Sequence, residues 1–352
     1  MTSRERWYLA VTHQQADRIP IADVQWETTV ARWHREGLPE DQSPHSYFGY
    51  EWANQGADLS FQLPRETLEE TETYRIIRDE FGATTRVFVG QESVPELLDY
   101  SITTRERWEE HKPLLAWNDR RVDWEGGLAS NRALRDQGLW VSYAAGFGFD
   151  RIQRFAGTER VLIAMKEDPA WVRDMMTTIG ETLITGLEEM LARGFRFDGA
   201  FIWNDQAYRN GPFFSPACYR EFEFPVQQRL CDVFHSHGMR VIMHTDGDVR
   251  PFLPMYIEAG FDCLQPCEVK AGMDLRELKR DYGDRLAFMG GIDVRAMAHP
   301  DPRVIEHEVA AKIPVAKVGG GYIYHSDHSV PDNVSFAQYC RVMELVAHYG
   351  RF

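Results

Sequence analysis

The sequence predicts an α/β fold, a single (β/α)8 TIM barrel, and three observations lead there. From residue 136 onward, short apolar runs alternate with longer stretches of helical period. No hairpin signal separates these repeats, so the strands pair in parallel through right-handed crossovers. No Gly-x-Gly-x-x-Gly follows the first strand; Gly146-Phe147-Gly148 is a fragment of it, and no Walker loop is present. That favours a closed barrel over a doubly wound nucleotide-binding sheet. The 352 residues suit one barrel domain over 1–352. Residues 1–135 then form an N-terminal extension and the first strands, with a small antiparallel excursion, and 136–352 the regular repeats.

Residues 3–16 carry Trp7, Leu9, Ala10 and Val11 before the breakers Asp17-Arg18-Ile19-Pro20. They read as a short helix leading into an extended segment at 19–24. Residues 28–36 have helical period. The stretch 39–61 mixes prolines, aromatics and acids without a period, as an irregular excursion over a site does. Residues 71–79, 84–89 and 100–102 are candidate antiparallel strands, and 104–112 is a solvated helix around Trp108. Barrel strands are expected at 139–145, 199–203, 240–243, 262–265, 286–289 and 321–324. Helices are expected at 161–165, 171–193, 216–238, 253–259, 275–281, 304–318 and 336–349. Gly260 is placed to cap its helix in the left-handed region, and Pro314 to kink or end the helix containing it.

Composition excludes several classes. No run approaches a membrane span, and Met1 to Trp7 lacks the apolar segment of a secretory signal. Five cysteines in a long chain do not read as a disulfide framework, so a reducing cytoplasm is the expected location. A net charge of −15 argues against nucleic-acid partners. It also disfavours strongly anionic substrates, unless local arginines override the field.

The apolar run Val241 to Met243 passes directly into His244-Thr245-Asp246-Gly247-Asp248. His244 and Asp246 are two apart and share a side of an extended chain. An imidazole beside a carboxylate binds a divalent metal or works as an acid–base pair. Other strand ends read alike: Asn204-Asp205, Pro266-Cys267-Glu268, Gly290-Gly291-Ile292-Asp293 and His325-Ser326-Asp327-His328. In a barrel these gather at one mouth. Plainer readings compete. Asp246 and Asp248 can simply cap the following turn, and Cys263 can be an inert core thiol. Trp26, Phe147, Phe149, Trp203, Asn204 and Tyr208 are candidates to line a substrate pocket, although an aromatic in a barrel is as readily core.

Further motifs accompany these strand ends: Arg18-Ile19-Pro20, Ser215-Pro216, His244-x-Asp246-Gly247-Asp248, Ile257-Glu258-Ala259-Gly260-Phe261-Asp262, Gly272-Met273-Asp274, Gly290-Gly291-Ile292-Asp293 and Gly319-Gly320-Gly321-Tyr322-Ile323. In order and spacing they resemble the uroporphyrinogen decarboxylase superfamily, over nearly the whole chain. That superfamily includes the decarboxylase and metal-dependent methyltransferases acting with corrinoid proteins. The resemblance implies a (β/α)8 barrel with its site at the mouth, often as a homodimer.

Two departures from the family pattern direct the functional reading. The decarboxylase carries an arginine-rich segment, Met-Arg-Gln-Ala-Gly-Arg, where this chain has Ile21-Ala22-Asp23-Val24-Gln25-Trp26-Glu27. Two acids and no arginine there argue against a polycarboxylate porphyrinogen. The methyltransferase branch resembles His-x-Cys with a later cysteine, all binding zinc. Here His244 is kept, Asp246 replaces the cysteine, and His325 or His328 stands near the last strand. His328 resembles a family position, whereas His325 sits closer to the strand end. Cys267 or Glu268 can complete the shell. Such a set suits zinc first, and iron or manganese as well.

The resemblance thus implies a methyl group moved from a small substrate to a corrinoid held by a partner protein. His244, Asp246 and His325 or His328 would hold the metal, and Asp205 would orient or protonate the leaving group. The alternatives are a metal-free decarboxylase or lyase using Asp205, Asp246 and His328 as acids and bases, and a non-catalytic ligand binder.

Overall fold

The computed structural model describes residues 1–90 and 95–352. Its strands, in chain order, are β1 (Trp52–Gln55), β2 (Glu66–Glu70), β3 (Tyr74–Arg78), β4 (Thr84–Phe88), β5 (Glu96–Asp99), β6 (Trp140–Gly146), β7 (Gly199–Trp203), β8 (Ala207–Tyr208), β9 (Gly211–Pro212), β10 (Arg240–His244), β11 (Cys263–Gln265), β12 (Ala287–Met289) and β13 (Tyr322–Ile323). Seven of them form one curled parallel sheet, β1-β6-β7-β10-β11-β12-β13. Both faces of these strands are covered, which is why they read as continuous apolar runs rather than alternating ones.

The sheet has one strand fewer than the (β/α)8 expectation. Between its two edges lies the extended segment at 19–24. Tyr324 N–H donates to the Pro20 carbonyl at 2.9 Å and Ala22 N–H to the Tyr324 carbonyl at 3.0 Å. On the other side Glu51 N–H donates to the Ile21 carbonyl at 3.0 Å. A buried ion triad fixes this seam, because Glu51 pairs with both Arg6 and Arg18 and accepts Ile21 N–H at 2.8 Å.

Below the seam, the first helix (Ser3–Val11) drives Trp7 between Trp52 and Trp140, the first residues of β1 and β6, with ring centroids 6.0 and 5.8 Å away. An inner core of Ala22, Phe201, Ile242, Cys263, Ala287, Met289 and Ile323 continues upward from them. Side chains two residues farther along a strand point the same way. The inward face therefore leads from Ile242 to His244, from Phe201 to Trp203 and from Cys263 to Gln265.

Several expected elements are corrected. The stretch 39–61 is not a wholly irregular excursion; it holds a capped helix (Pro44–Phe48) and β1, hidden because four residues show no period. The antiparallel patch exists as β2-β3-β4-β5. Its last strand is β5 rather than 100–102, and β2, exposed at all five positions, has no alternation to reveal it. The helix expected over 216–238 is interrupted by a π-turn at Tyr219–Glu223, where Pro225 cannot donate to the preceding turn. Pro314 does not end its helix, which runs Pro302–Ala316, since the lost hydrogen bond falls in the last turn.

Candidate active site

The site grows from the ends of β7, β10 and β11. Their register sets His244 opposite both Trp203 and Gln265. Just beyond β7, an Asp205 carboxylate oxygen accepts Asp246 N–H at 2.9 Å and stands 3.7 Å from His244 Nε2. His244 Nδ1 bonds the Gln265 side-chain oxygen, an acceptor only, so Nδ1 carries a proton. Gly247 makes the turn at φ +86°, and a Cβ there would stand 2.6 Å from the Ala207 carbonyl carbon. Only glycine fits so close to another backbone. Its N–H donates to Glu268 at 2.7 Å, which fixes the loop that presents Asp246.

One ligand atom each from Asp205, His244 and Asp246 lies within 4.8 Å of the others. One oxygen of Asp246, Oδ1, is buried without a partner among the described residues. Burial, reinforced by Asp246, raises the Asp205 pKa despite the opposing pull of His244. Burial alone would lower that of His244, but Asp246 and then Asp205 outweigh it and the pKa rises.

A cavity of about 300 Å³ opens over this cluster, lined by Trp52, Asn54, Trp203, His244, Gln265, His325 and His328 among others. Trp52, stacked on Trp7, joins it to the barrel floor. Each of the three histidines commits Nδ1 to an oxygen: His244 to Gln265, His325 to the Ser326 carbonyl at 2.7 Å, and His328 to the Ser329 carbonyl at 3.2 Å. In that arrangement Nε2 keeps its lone pair, as in histidines that bind metals. His325 Nε2 is also buried without a partner among the described residues. These donors fit a divalent cation.

The other expected positions fall elsewhere. Phe147 and Phe149 are fully buried in the main core and do not line this cavity; Phe149 packs on Phe213 and Phe214. Asn204 is also fully buried, donating to Glu223 at 3.1 Å and accepting Asp150 N–H at 3.0 Å. Tyr208 lies half-exposed on the β8-β9 hairpin. Trp26 meets His328 edge-on at 5.9 Å and supports it from behind. The Cys267 thiol is buried and its pKa pushed up, which disfavours the thiolate a metal needs. Glu268 is used by Gly247 and by Lys270 at 2.7 Å. Asp248 caps its own turn and pairs with Arg250. Asp327 ties two loops, accepting Val269 and Val294 N–H at 2.9 Å each. Sequence reasoning missed Trp52, Asn54 and Gln265; their signal is the inward period of two on strands too short to display it.

The family model described as uroporphyrinogen decarboxylase (URO-D) matches residues 153–349. The chain belongs to this family. A solved methyltransferase from Methanosarcina mazei shares the fold at a TM-score of 0.69 and 16% identity, covering 99% of each chain. A chitinase from Chromobacterium violaceum is more distant, at a TM-score of 0.41 and 9% identity, covering 94% of this chain and 99% of that one. A search of curated proteins finds no significant match.

Of the two acids in segment 21–27 of this URO-D family chain, one has a structural task. Asp23 is buried, bonded to the Ser326 hydroxyl and to Tyr339 at 2.7 Å. It ties the segment to the loop after the last strand and to the last helix. The segment contributes Val24 to the cavity.

Proposed function

We propose that the chain is a metal-dependent methyltransferase of the URO-D family, passing a methyl group from a small substrate to a corrinoid carried by a partner protein. The observation that carries this reading is the convergence of Asp205, His244 and Asp246 under a cavity where His325 keeps an unpartnered nitrogen. In this reading the seven-stranded sheet and the segment at 19–24 together form a closed (β/α)8 barrel.

His244 and Asp246, with His325 or His328, would hold the cation, leaving Asp205 beside them as the acid. When bound, it supplies Lewis acidity that weakens the bond to the departing methyl group. The protein's own groups do the rest. Gln265 orients His244 so that Nε2 faces the cluster. Asp205, its pKa raised by burial, holds a proton more readily than a solvated aspartate and delivers it to the leaving atom. Trp52 and Phe201 form an apolar wall that keeps water from the reacting carbon.

Metal content tests this directly. Protein purified without chelator should carry about one zinc, iron or manganese per chain by mass spectrometry. That metal should be lost in His244→Ala and in Asp246→Ala but kept in Asp248→Ala. A metal-free protein that remains active would overturn the reading. It would favour the metal-free decarboxylase or lyase, for which the raised Asp205 and His244 pKa values are the supporting observation.

A further inference from the structure

A second cavity, about 370 Å³, lies between the antiparallel sheet and the barrel mouth, with Trp203 as the wall it shares with the first. Its apolar side is Ile77, Val87, Pro95 and Leu97; its charged side is Arg65, Arg151, Arg154, Asp79 and Asp150. Arg154 is engaged by Asp79 at 3.0 Å and Glu80 at 3.6 Å.

Arg151 is not engaged. Among the described residues its guanidinium makes no hydrogen bond or ion pair, and its Nε is buried without a partner. It rests only against rings, with Cζ 4.9 Å from the centre of Phe81 and 5.9 Å from that of Trp203. Asp150, its neighbour in the chain, accepts a hydrogen bond from Gln153 at 3.2 Å and acts on Arg151 only through space, as Glu80 and Asp58 do. A largely buried guanidinium whose donors make no hydrogen bond is costly, and arginine does not escape that cost by losing its proton.

A second donor converges on the same place. A Cβ on Gly146 would stand 2.3 Å from Arg151 Nη2 and 2.5 Å from Trp203 Nε1. The missing side chain at the end of β6 lets the two N–H groups pack side by side over Gly146, at the wall between this cavity and a smaller one that also holds Asp58 and Glu80. A planar guanidinium fork beside an indole N–H, facing an apolar chamber, suits a carboxylate on an apolar body.

We propose that this cavity binds a small, largely apolar carboxylic acid, its carboxylate held by Arg151 and Trp203 and its body against Ile77, Val87 and Leu97. Only the claim that this acid is the substrate rests on the methyltransferase reading; the binding does not.

Calorimetric titration with benzoate and with its uncharged analogue benzamide tests this. Benzoate should bind at least tenfold more tightly than benzamide, and Arg151→Gln should abolish that difference. Arg151→Lys, which keeps the charge but loses the fork, should weaken benzoate several-fold without lowering the melting temperature, and it decides the matter if the glutamine variant does not fold. Equal affinity for the two probes, no binding of either, or unchanged benzoate affinity in both variants would overturn the proposal. Displacement of benzoate by a lower concentration of inorganic phosphate would also overturn it, in favour of a phosphate ligand. Metal content is measured on the same samples. Benzoate binding without metal sinks the methyltransferase reading alone, and metal without benzoate binding sinks this one alone.

Discussion

Glu223, bonded to the Asn204 side chain behind the site, shows how burial can outweigh a full set of hydrogen bonds. Its carboxylate is fully buried, yet it accepts Phe149 N–H at 2.7 Å and the amides of Asn204 and Gln227 at 3.1 Å each. Burial outweighs those bonds and pushes its pKa up to about 7. A carboxyl whose folded pKa lies above its unfolded value binds its proton more tightly when folded. Its contribution to stability is therefore full at low pH and lost as pH rises from about 4.5 to about 7. Glu223→Gln should match the wild type near pH 4 and gain on it through that window, by on the order of 3 kcal/mol. Denaturant titrations at several pH values read the difference; a flat difference sinks the idea. At Gly247, alanine would meet both the positive φ and the Ala207 backbone. It should cost about 1–3 kcal/mol, seen as a lower melting temperature, and should lower metal content by displacing Asp246. The position of Asp205, His244 and Asp246 was legible because each breaks an apolar run. Gln265 was not, since a glutamine on a three-residue strand carries no pattern. Arg151 was not either, because it lies on an ordinary helical turn (Gly148–Ala156) and only coordinates reveal that its buried Nε makes no hydrogen bond.

Among the elements, the first helix does more than its length suggests. It has almost no apolar stripe, because Arg6 and Trp7 are both buried for different reasons: one completes the Glu51 triad and the other fills the barrel floor. Trp7→Ala should cost about 3–5 kcal/mol in a denaturant titration. A loss below 1 kcal/mol would show that Trp52 and Trp140 can close over the gap. Elements with strong punctuation were the easiest to read. The last helix begins and ends where its Ser335 capping box and Gly350 place it (Phe336–Tyr349). The left-handed Gly260 closes Leu253–Ala259 as expected. The four exposed-edged strands β2 to β5 were harder, since a sheet lying over a cavity has only one thinly buried face.

At the scale of the molecule, alternation of strand and helix was enough to name a parallel α/β architecture, and the parallel order of seven strands agrees with it. The ring's starting point was not legible, because the segment at 19–24 pairs through isolated bridges rather than a run of residues. Net charge does not fix the field inside any one cavity. A total of −15 is spread over the whole surface, and solvent screens it within about a Debye length. Around the second cavity that field is set by Arg65, Arg151 and Arg154 against Asp79 and Asp150.

The seam at Ile21 has a consequence for how the protein comes into being. One side of that short segment joins Glu51, its near neighbour in synthesis, but the other must wait for Tyr324. Until almost the last helix has emerged, a nascent chain presents an unpaired sheet margin at each flank, of the kind that recruits other chains. Slow closure is then built into the topology, and so is a need for protection during synthesis.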